Sequence, residues 1–306
     1  MDAAVSQVRS FNRLITQRGG ALDDRYLARS RPLGEARLLW EIGAEGSDVR
    51  KLRSRLDLDS GYLSRLLRSL EAAKLIRVEP NQDDKRVRTV RLTPAGRAER
   101  DLLDRRSDEL ARSFLEPLSE PRRQRLVAAM AEVERLLTAA LVEIDVVDPA
   151  HRDAQLCVRE YFTELGRRFD SGFDPALSIP AELHELRPPA GLFLVATLRG
   201  EPVGCGGLKF HGDEPTELKR MWVAESARGL GIGRRLLGEL ESRAAANGAR
   251  VVRLETNRAL TEATSLYRSA GYREVDAFND EPYAHHWFEK QLGQQESGRP
   301  SRVRLS

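Results

Sequence analysis

The pattern of apolar residues changes near Pro149, and this change constrains the fold of the chain more than any other feature. Before it, apolar residues recur mostly at helical spacing, as in Val5, Val8, Phe11 and Ile15. After it, β-rich apolar runs such as GLFLVATL alternate with helical segments, as in an α/β layer with a mixed sheet. The 306 residues also exceed what one ordinary core accommodates. We therefore predict a mainly α domain at 1–147, an α/β domain at 148–293 and a disordered tail at 294–306.

Positive charge is concentrated in one part of the first domain. The whole chain carries a net charge of only +3. Residues 50–100, however, contain 14 Lys and Arg against 7 Asp and Glu, which gives a local charge of +7. A nucleic-acid partner requires such a basic surface, and a solvated basic face is the alternative.

Composition favours a protein of the cytoplasm. The chain is 41% hydrophobic and 32% charged, and no apolar run is long enough to span a bilayer. The first residues, MDAAVSQVRSF, have neither the basic nor the apolar region of an export signal. Two cysteines, Cys157 and Cys205, are too few for a disulfide framework or a metal cluster. We therefore expect a cytoplasmic protein with no membrane partner.

Two short helices joined by a tight turn are predicted between Ser47 and Ile76. Leucines form an apolar face on each helix, and the turn lies at 57–59. This is the pattern of a helix-turn-helix, with Asp59 or Ser60 as the N-cap of the second helix. The outer face of that helix can enter a major groove, where arginine pairs with guanine, and a solvated face is the alternative. The predicted DNA contacts on it are Ser60, Gly61, Tyr62, Ser64, Arg65 and Arg68.

The strand-like pair LIRVEP and RTVRLT follows this helix and is joined by the charged loop NQDDKRV. These residues resemble the wing of the MarR family of winged-helix regulators, D-x-R and then L-T-x-x-G, here Asp84, Arg86, Leu92, Thr93 and Gly96. The resemblance covers roughly residues 1–145. It implies a double-stranded DNA operator, a homodimer formed by the N- and C-terminal helices of this half, and Arg86 in a minor groove. The wing contacts that it implies are Asp84, Lys85 and Arg86.

The recognition helix departs from that family's pattern. Many members carry a run like RSTVSR, where this chain has SGYLSR at 60–65. The first arginine and a small hydroxyl are missing. Operator preferences of the family are therefore not transferred to this chain.

The stretch SARGLGIGRRLLGEL, at 226–240, places three glycines at alternate positions before an amphipathic helix. A dinucleotide-binding loop needs its third glycine where Arg234 stands, and the Walker A pattern is absent. What remains is a turn with free backbone N–H groups at the N-terminus of a helix. Such a turn binds anions through its geometry and through the helix dipole.

The same residues resemble the signature [QR]-x-x-G-x-[GA] of the GNAT acetyltransferases, which stands here at 228–233. A second motif of that family is similar to TNRALTEATSLYRSAGYRE, with Asn257 after a strand and Tyr267 further on. Over roughly residues 150–291 the resemblance implies an α/β GNAT fold with a mixed central sheet and acetyl-CoA as co-substrate. The implied acetyl-CoA contacts are Met221, Trp222, Val223, Arg228, Gly229, Leu230, Gly231, Ile232, Gly233, Arg234, Asn257 and Tyr267.

The family also implies roles for these groups. The pyrophosphate lies on the amides of 228–234, and the pantetheine arm runs beside a strand that ends at Val223, next to a splay in the sheet. A backbone N–H of 221–223 polarises the thioester carbonyl, and Tyr267 protonates the departing thiolate. The alternative for Tyr267 is a core tyrosine whose hydroxyl is satisfied. No metal is expected, because adjacent strand residues such as His285 and His286 point to opposite faces and form a poor metal pair.

Three charges begin the predicted central strand ELKRMWV at 217–223. Buried charges are costly unless they are paired or used, so these charges are predicted to line the substrate cleft. We choose Glu217 as the catalytic base, and Glu217, Lys219 and Arg220 as substrate-binding residues. The two cations suggest a carboxylate on the acceptor. The alternative is that the strand simply emerges into solvent at this end.

Together these patterns predict a bifunctional protein, in which a MarR-like winged-helix regulator is fused to a GNAT N-acetyltransferase. The enzyme would transfer acetyl from acetyl-CoA to a small amine or amino-acid-like acceptor. Two alternatives are open. The GNAT domain could serve as a non-catalytic acetyl-CoA or ligand sensor that controls DNA binding, or it could acetylate a protein lysine.

Overall fold

The computed structural model describes residues 1–19, 31–80 and 87–293. Contacts between residues divide the chain into two compact units, 1–132 and 133–306. The division falls within one helix, Glu120–Ala140. The two predicted domains therefore correspond to two units, although the boundary lies elsewhere.

The N-terminal unit is mainly helical. Its three short strands form an antiparallel sheet in the order β1-β3-β2. The pair β2 and β3 was predicted, whereas the two-residue strand β1 was not. The elements, up to the helix that contains the division, are α1 (Asp2–Arg18), α2 (Leu33–Ile42), β1 (Ser47–Asp48), α3 (Val49–Leu56), α4 (Ser60–Ala72), β2 (Ile76–Pro80), β3 (Arg88–Leu92), α5 (Pro94–Leu115) and α6 (Glu120–Ala140).

The predicted helix-turn-helix is formed by α3 and α4. Asp57 adopts the left-handed conformation that ends α3, and the Asp59 carboxylate accepts a hydrogen bond from the Tyr62 N–H at 2.8 Å and so caps α4. The predicted apolar face of α4 is buried in the core of this unit. Its members are Leu63, Leu66, Leu67 and Leu70.

The L-T-x-x-G run has a local structural role at the start of α5. Thr93 is the N-cap, since its hydroxyl accepts a hydrogen bond from the Gly96 N–H at 3.0 Å and donates to the Lys74 carbonyl at 2.7 Å. A Cβ on Gly96 would lie 1.9 Å from the Leu75 carbonyl oxygen. Only glycine therefore allows α5 to start this close to the end of α4.

Two helices leave their apolar residues exposed. The predicted helix at the N-terminus is present as α1, but none of its residues is buried, and the same holds for α6. Val8 is 57% exposed and Leu137 is 64% exposed. The exposed apolar side chains on these helices are Val5, Val8, Phe11, Leu14 and Ile15, and Val127, Met130, Val133, Leu136 and Leu137.

The C-terminal unit has a seven-stranded sheet among its described residues, in the order β4-β5-β6-β7-β8-β10-β9. The pair β7–β8 is parallel and the other pairs are antiparallel, so the sheet is mixed as predicted. The elements are β4 (Val142–Val146), α7 (Arg152–Arg168), β5 (Gly191–Leu198), β6 (Glu201–Lys209), β7 (Thr216–Val223), α8 (Ile232–Ala246), β8 (Val251–Thr256), α9 (Thr261–Ser269), β9 (Arg273–Val275) and β10 (His286–Gln291).

Both faces of the central strands are covered. Along β5, Leu192 and Leu194 belong to the apolar cluster that includes α8 and α9 residues, whereas Phe193 and Val195 belong to the cluster that includes Cys157 of α7. This alternation follows from the two-residue period of a strand. It places α7 on one face of the sheet and α8 on the other.

Strand β4 corrects the predicted domain boundary. Val142–Val146 pairs with β5, and Val142 is buried in the same cluster as Leu194. These residues belong to the C-terminal sheet, so the boundary at 147/148 lies too far along the chain. The strand was missed because it directly follows a long helical pattern. The predicted disordered tail at 294–306 lies outside the described residues.

Candidate functional sites

Strand β7 carries an irregularity at the centre of the C-terminal sheet. Cys205 pairs with Trp222 and Gly207 with Lys219, so β7 has one extra residue opposite β6, which is a β-bulge. Within it, Arg220 has a φ of +54°. On the other side, β7 pairs with β8 only at Thr216 and Glu217. The strands are thus unpaired beside 221–223, where the sequence predicts a splay.

The glycine turn adjoins this gap. Gly229 and Gly231 have φ values of +80° and +76°, and Gly231 is the N-cap of α8. No atom lies within 4 Å of the Cβ position of either residue, so both face open space. The first N–H groups of α8 have no acceptor within the helix and remain available to an anion.

A cavity of about 470 Å³ lies between the glycine turn, β7, α7 and α9. Two of the predicted acetyl-CoA contacts do not line it. Leu230 packs against the apolar core, and Asn257 lines a different cavity, where its amide donates to the Tyr283 carbonyl at 2.7 Å. The predicted contacts that do line it are Met221, Trp222, Val223, Arg228, Gly229, Gly231, Ile232, Gly233, Arg234 and Tyr267.

Glu164 of α7 also lines this cavity and organises one of its walls. Its carboxylate accepts hydrogen bonds from the Trp222 indole at 2.8 Å, from Arg228 at 2.5 Å and from Arg168 at 3.2 Å. Although burial raises the pKa of Glu164, these hydrogen bonds hold it below its ordinary value. Sequence reasoning missed Glu164, because no motif links α7 to the turn 64 residues away.

A second cavity, of about 240 Å³, adjoins the first. Tyr161, Leu165 and Leu260 line both, so the two cavities meet at these side chains. The predicted substrate-binding residues Lys219 and Arg220 line the second cavity. We call the first the cofactor cavity and the second the acceptor cavity.

The predicted base Glu217 is not among the residues that line either of these cavities. Its carboxylate pairs with Arg253 at 2.8 Å and with Lys219 at 3.4 Å. Although burial raises the pKa of Glu217, these cations hold it below its ordinary value. These ion pairs compensate the buried charge of Glu217, and its role as the catalytic base stays a prediction.

Glu255 of β8 is one of three glutamates that line the acceptor cavity, with Glu182 and Glu281. It lies 2.5 Å from the Lys219 ammonium group, which thus bridges Glu217 and Glu255. Glu255 stands two residues before Asn257 in the strand that the sequence analysis identified. The sequence could not distinguish the two glutamates, because a residue's face in a bulged sheet depends on its register.

Two tyrosines line the cofactor cavity, and one of them, Tyr161, lines the acceptor cavity as well. Burial raises the pKa of Tyr267, and the Glu255 carboxylate adds to the shift. Burial likewise raises the pKa of Tyr161, with further contributions from Tyr267 and Glu255. No hydrogen bond to the Tyr267 hydroxyl is present among the residues that the structure describes. The hydroxyl therefore keeps its proton and is free to donate it.

Comparison with known proteins agrees with this geometry. The Acetyltransferase (GNAT) family model matches residues 158–272, and the MarR family model matches residues 30–87. An IAA acetyltransferase of Azospirillum brasilense is 39% identical over 130 residues, which cover 42% of this chain and 84% of that protein. The chain belongs to the GNAT acetyltransferase family. It also contains a MarR family domain.

Other proteins are similar to part of this GNAT chain. An uncharacterized N-acetyltransferase of Schizosaccharomyces pombe is 32% identical over 136 residues, which cover 44% of this chain and 79% of that protein. A GNAT family acetyltransferase from Elizabethkingia anophelis, solved with acetyl-CoA bound, is 20% identical, with a TM-score of 0.36. The match covers 50% of this chain and 99% of the Elizabethkingia anophelis chain. The GNAT family uses acetyl-CoA, which is the co-substrate of this enzyme.

The predicted DNA contacts of the MarR domain lie together on the outer face of α4. Ser60, Gly61, Tyr62, Ser64, Arg65 and Arg68 are all exposed. The Arg65 guanidinium lies 5.6 Å from the centre of the Tyr62 ring, so these two side chains form one surface. The predicted wing contacts Asp84, Lys85 and Arg86 lie outside the described residues.

Within the described ranges, no group of three or more His, Cys, Asp or Glu side chains could hold a metal ion. His286 contacts Glu274 at 2.5 Å instead. None of the helices described in the GNAT chain is both long and apolar enough to cross a membrane.

Proposed function

We propose that this GNAT enzyme acetylates the primary amine of a small, amino-acid-like acceptor, and that its MarR domain binds a double-stranded DNA operator as a homodimer. The observation that carries the enzymatic part is the meeting of two cavities at Tyr161, Leu165 and Leu260. One cavity contains the glycine turn, and the other contains Arg220 and Glu255.

The cofactor cavity fits acetyl-CoA at both ends. The exposed amides of the turn at 228–234 would hold the pyrophosphate, since a helix N-terminus favours negative charge. The edge of β7 at 221–223 has no partner strand on the β8 side and can pair with the amide groups of the pantetheine arm. A β7 N–H would then donate to the thioester oxygen, where negative charge develops during attack.

The acceptor amine first loses a proton to Glu255, directly or through water, because only the neutral amine is a nucleophile. Its nitrogen attacks the thioester carbon, and the carbon–sulfur bond breaks as the amide forms. Tyr267 donates its proton to the departing thiolate and regains one from the second amine proton through solvent. The raised pKa of Tyr267 supports this role, since the hydroxyl is protonated at neutral pH. Free CoA and an N-acetyl amine are the products.

The homodimer proposal for the MarR domain is supported by the exposed apolar residues of α1 and α6. Large exposed apolar patches on a soluble protein mark interaction sites. Val8 on α1 and Val127 on α6 are each about half exposed, and neither helix has a buried residue. Pairing of such helices between two copies would bury both sets, as the resemblance to MarR regulators implies.

The enzymatic proposal is tested by mass spectrometry of a mixed amine and amino-acid pool incubated with acetyl-CoA and the full chain. We expect one or a few N-acetylated products, together with free CoA. Tyr267→Phe in the same assay is the control for uncatalysed acetylation. A pool that stays unmodified, in a sample that binds acetyl-CoA, would contradict turnover.

A second candidate function is that of an acetyl-CoA sensor that controls DNA binding, and one set of contacts favours it. Arg135 of α6 donates to the Gly229 carbonyl at 3.2 Å. Arg235 of α8 donates to the Ala139 and Val142 carbonyls at 2.7 and 2.8 Å, at the end of α6. Pyrophosphate binding at the turn would thus change the hydrogen bonds that join the turn and α8 to α6. DNA affinity that changes with CoA, in a chain without turnover, would select this function over the first.

A further inference from the structure

Arg220 is a cation of the acceptor cavity that forms no salt bridge within the described ranges, although Glu182 and Glu185 act on it from a greater distance. No carboxylate lies within 4 Å of its guanidinium, and no hydrogen-bond acceptor contacts it, among the described residues. Burial lowers the pKa of Arg220. Its neighbour Lys219 differs, since it is paired with both Glu217 and Glu255. A partly buried guanidinium without a partner is costly unless a ligand supplies the anion.

The fold directs Arg220 to this position. It lies in the extra segment of the β7 bulge, and its φ of +54° is uncommon for any residue other than glycine. Such conformations cluster at ligand-binding and active sites. The next residue, Met221, lines the cofactor cavity, so β7 passes from one cavity to the other between Arg220 and Met221.

Aromatic rings form the wall that continues from Arg220. The Arg220 guanidinium lies 5.5 Å from the centre of the Phe162 ring. The Phe162 and Phe173 centres are 5.4 Å apart, and those of Phe173 and Tyr283 are 4.9 Å apart. Phe169 lies 5.8 Å from Tyr283 and closes the set. We call these four rings, Phe162, Phe169, Phe173 and Tyr283, the aromatic wall.

Glu281 is a carboxylate of this cavity whose hydrogen bonds are already made within the protein. It accepts hydrogen bonds from the Ser178 hydroxyl at 2.9 Å and from the Ile179 N–H at 2.7 Å. The Tyr283 N–H adds a third at 3.3 Å. Glu281 is therefore not free to pair with a basic side chain of an acceptor, and an acidic side chain would face aromatic rings.

We infer that the acceptor is an α-amino acid with an aromatic side chain, an inference that rests on the proposed acetyltransferase function. Its carboxylate pairs with Arg220, its ring packs against the aromatic wall, and its amine faces Glu255 where the two cavities meet. The cavity volume of about 240 Å³ is smaller than the roughly 300–1,000 Å³ of pockets for drug-sized ligands, as expected for a single amino acid.

The test measures CoA release by the full chain with phenylalanine, tyrosine and tryptophan. Phenethylamine, tyramine and tryptamine are the matched acceptors without a carboxylate, and alanine and aspartate are those without the ring. We expect kcat/KM for the aromatic amino acids to exceed that of the matched amines about 100-fold, as for loss of a charge-assisted bidentate pair. The advantage over alanine should be at least about tenfold, from burial of the ring.

Variants separate the two contacts. Arg220→Gln should raise KM for phenylalanine about tenfold or more while leaving phenethylamine unaffected, and Arg220→Lys should restore part of the loss. Phe173→Leu should reduce the preference for phenylalanine over alanine. Arg243→Gln is the control, because Arg243 pairs with Glu239 on α8 and lines neither cavity.

Failure of this inference is distinguishable from failure of the proposed function. If the chain acetylates other amines but no aromatic amino acid, or if Arg220→Gln affects both acceptor types equally, the inference is wrong and the enzymatic function stands. If no amine is acetylated, calorimetric titration of phenylalanine in the presence of CoA decides. If phenylalanine binds and Arg220→Gln abolishes this binding, the inference about the binding site is supported without turnover. If phenylalanine does not bind, both the inference and the proposed acetyltransferase function are wrong.

Discussion

The Glu164 carboxylate lies 2.5 Å from the Arg228 guanidinium and joins α7 to the turn that precedes α8. Its other oxygen accepts a hydrogen bond from the Trp222 indole on β7. Three elements around the cofactor cavity are thus held by one buried acid. Arg228 is thereby oriented by Glu164, while its backbone N–H donates to the Glu225 carbonyl at 3.3 Å just before the glycine turn.

Glu164→Gln should destabilise the GNAT domain by about 1–3 kcal/mol at neutral pH, because a buried charge-assisted network loses its charge. The pKa of Glu164 is lowered in the folded protein. Its contribution to the free energy of unfolding is therefore complete above the ordinary pKa of about 4.3 and is lost as pH falls through the lowered pKa. The difference in unfolding free energy between wild type and variant should shrink at acidic pH. Urea unfolding followed by tryptophan fluorescence at several pH values measures it, and a difference that is constant with pH would contradict the assignment.

Two glycines of α8 provide a matched pair of substitutions. Gly231→Ala should destabilise the chain by about 1–2 kcal/mol, since φ is +76° and a Cβ is disfavoured there, and it should weaken acetyl-CoA binding. Gly238→Ala, in the helix interior with no atom within 4 Å of its Cβ position, should stabilise by about 0.5–1 kcal/mol. Thermal melting and calorimetric titration with acetyl-CoA measure both. Equal effects of the two changes would refute the role of the turn.

Local patterns account for the elements that sequence analysis predicted correctly. The cap Asp59, the leucine face of α4 and the glycines of the turn each act within a few residues of the chain. The signals for them are therefore contained in short stretches. The N-terminal helix α1 was predicted for the same reason, but its exposure was not, because periodicity shows that a face is apolar and not what covers it.

The acceptor cavity depends on contacts that no short stretch contains. Its aromatic wall combines Phe162 of α7, and Phe169 and Phe173 just after that helix, with Tyr283 more than a hundred positions away, so no spacing rule reveals it. The sequence analysis chose Glu217 as the base and did not consider Glu255. Both glutamates stand in adjoining strands and both pair with Lys219, but only Glu255 lines the acceptor cavity.

Arg65 on α4 is expected to contact DNA. Arg65→Ala should weaken binding to a duplex selected from a random library by about 1–3 kcal/mol if it pairs with a base. If Arg65 instead contacts a phosphate, Arg65→Ala should reduce the slope of the logarithm of the binding constant against the logarithm of salt concentration by about one unit. Gel shifts over a series of salt concentrations distinguish these cases. Arg243→Ala, on α8, is the control, and unaltered binding by Arg65→Ala would remove this helix from the interface.

The exposed faces of α1 and α6 predict a homodimer. Val8→Glu and Val127→Glu each place a charge among apolar side chains and should shift the protein to monomer at equal concentration, because burying an unpaired charge is unfavourable. Ser6→Glu adds the same charge on the opposite side of α1 and should leave the dimer intact. Analytical ultracentrifugation measures the mass. A wild-type monomer at micromolar concentration, or a dimer unaffected by both valine changes, would contradict the prediction.

Tyr267 should determine kcat rather than the binding of acetyl-CoA. Loss of a general acid costs about 10²–10⁴-fold, so Tyr267→Phe should lower kcat by that factor and leave the affinity for acetyl-CoA unchanged. Tyr272→Phe is the matched control, since its ring lies 5.7 Å from that of Tyr267 but lines neither cavity.

The raised pKa of Tyr267 gives this prediction a pH dependence. A group with a raised pKa keeps its proton to higher pH, so the acid form of Tyr267 should persist beyond the ordinary tyrosine value of about 10. The wild-type rate should therefore rise with pH as the acceptor amine loses its proton, and should not decline before that value. If the wild-type rate instead declines near neutral pH, and Tyr267→Phe removes this decline, then Tyr267 loses its proton at a lower pH than expected. That outcome would contradict its role as the general acid.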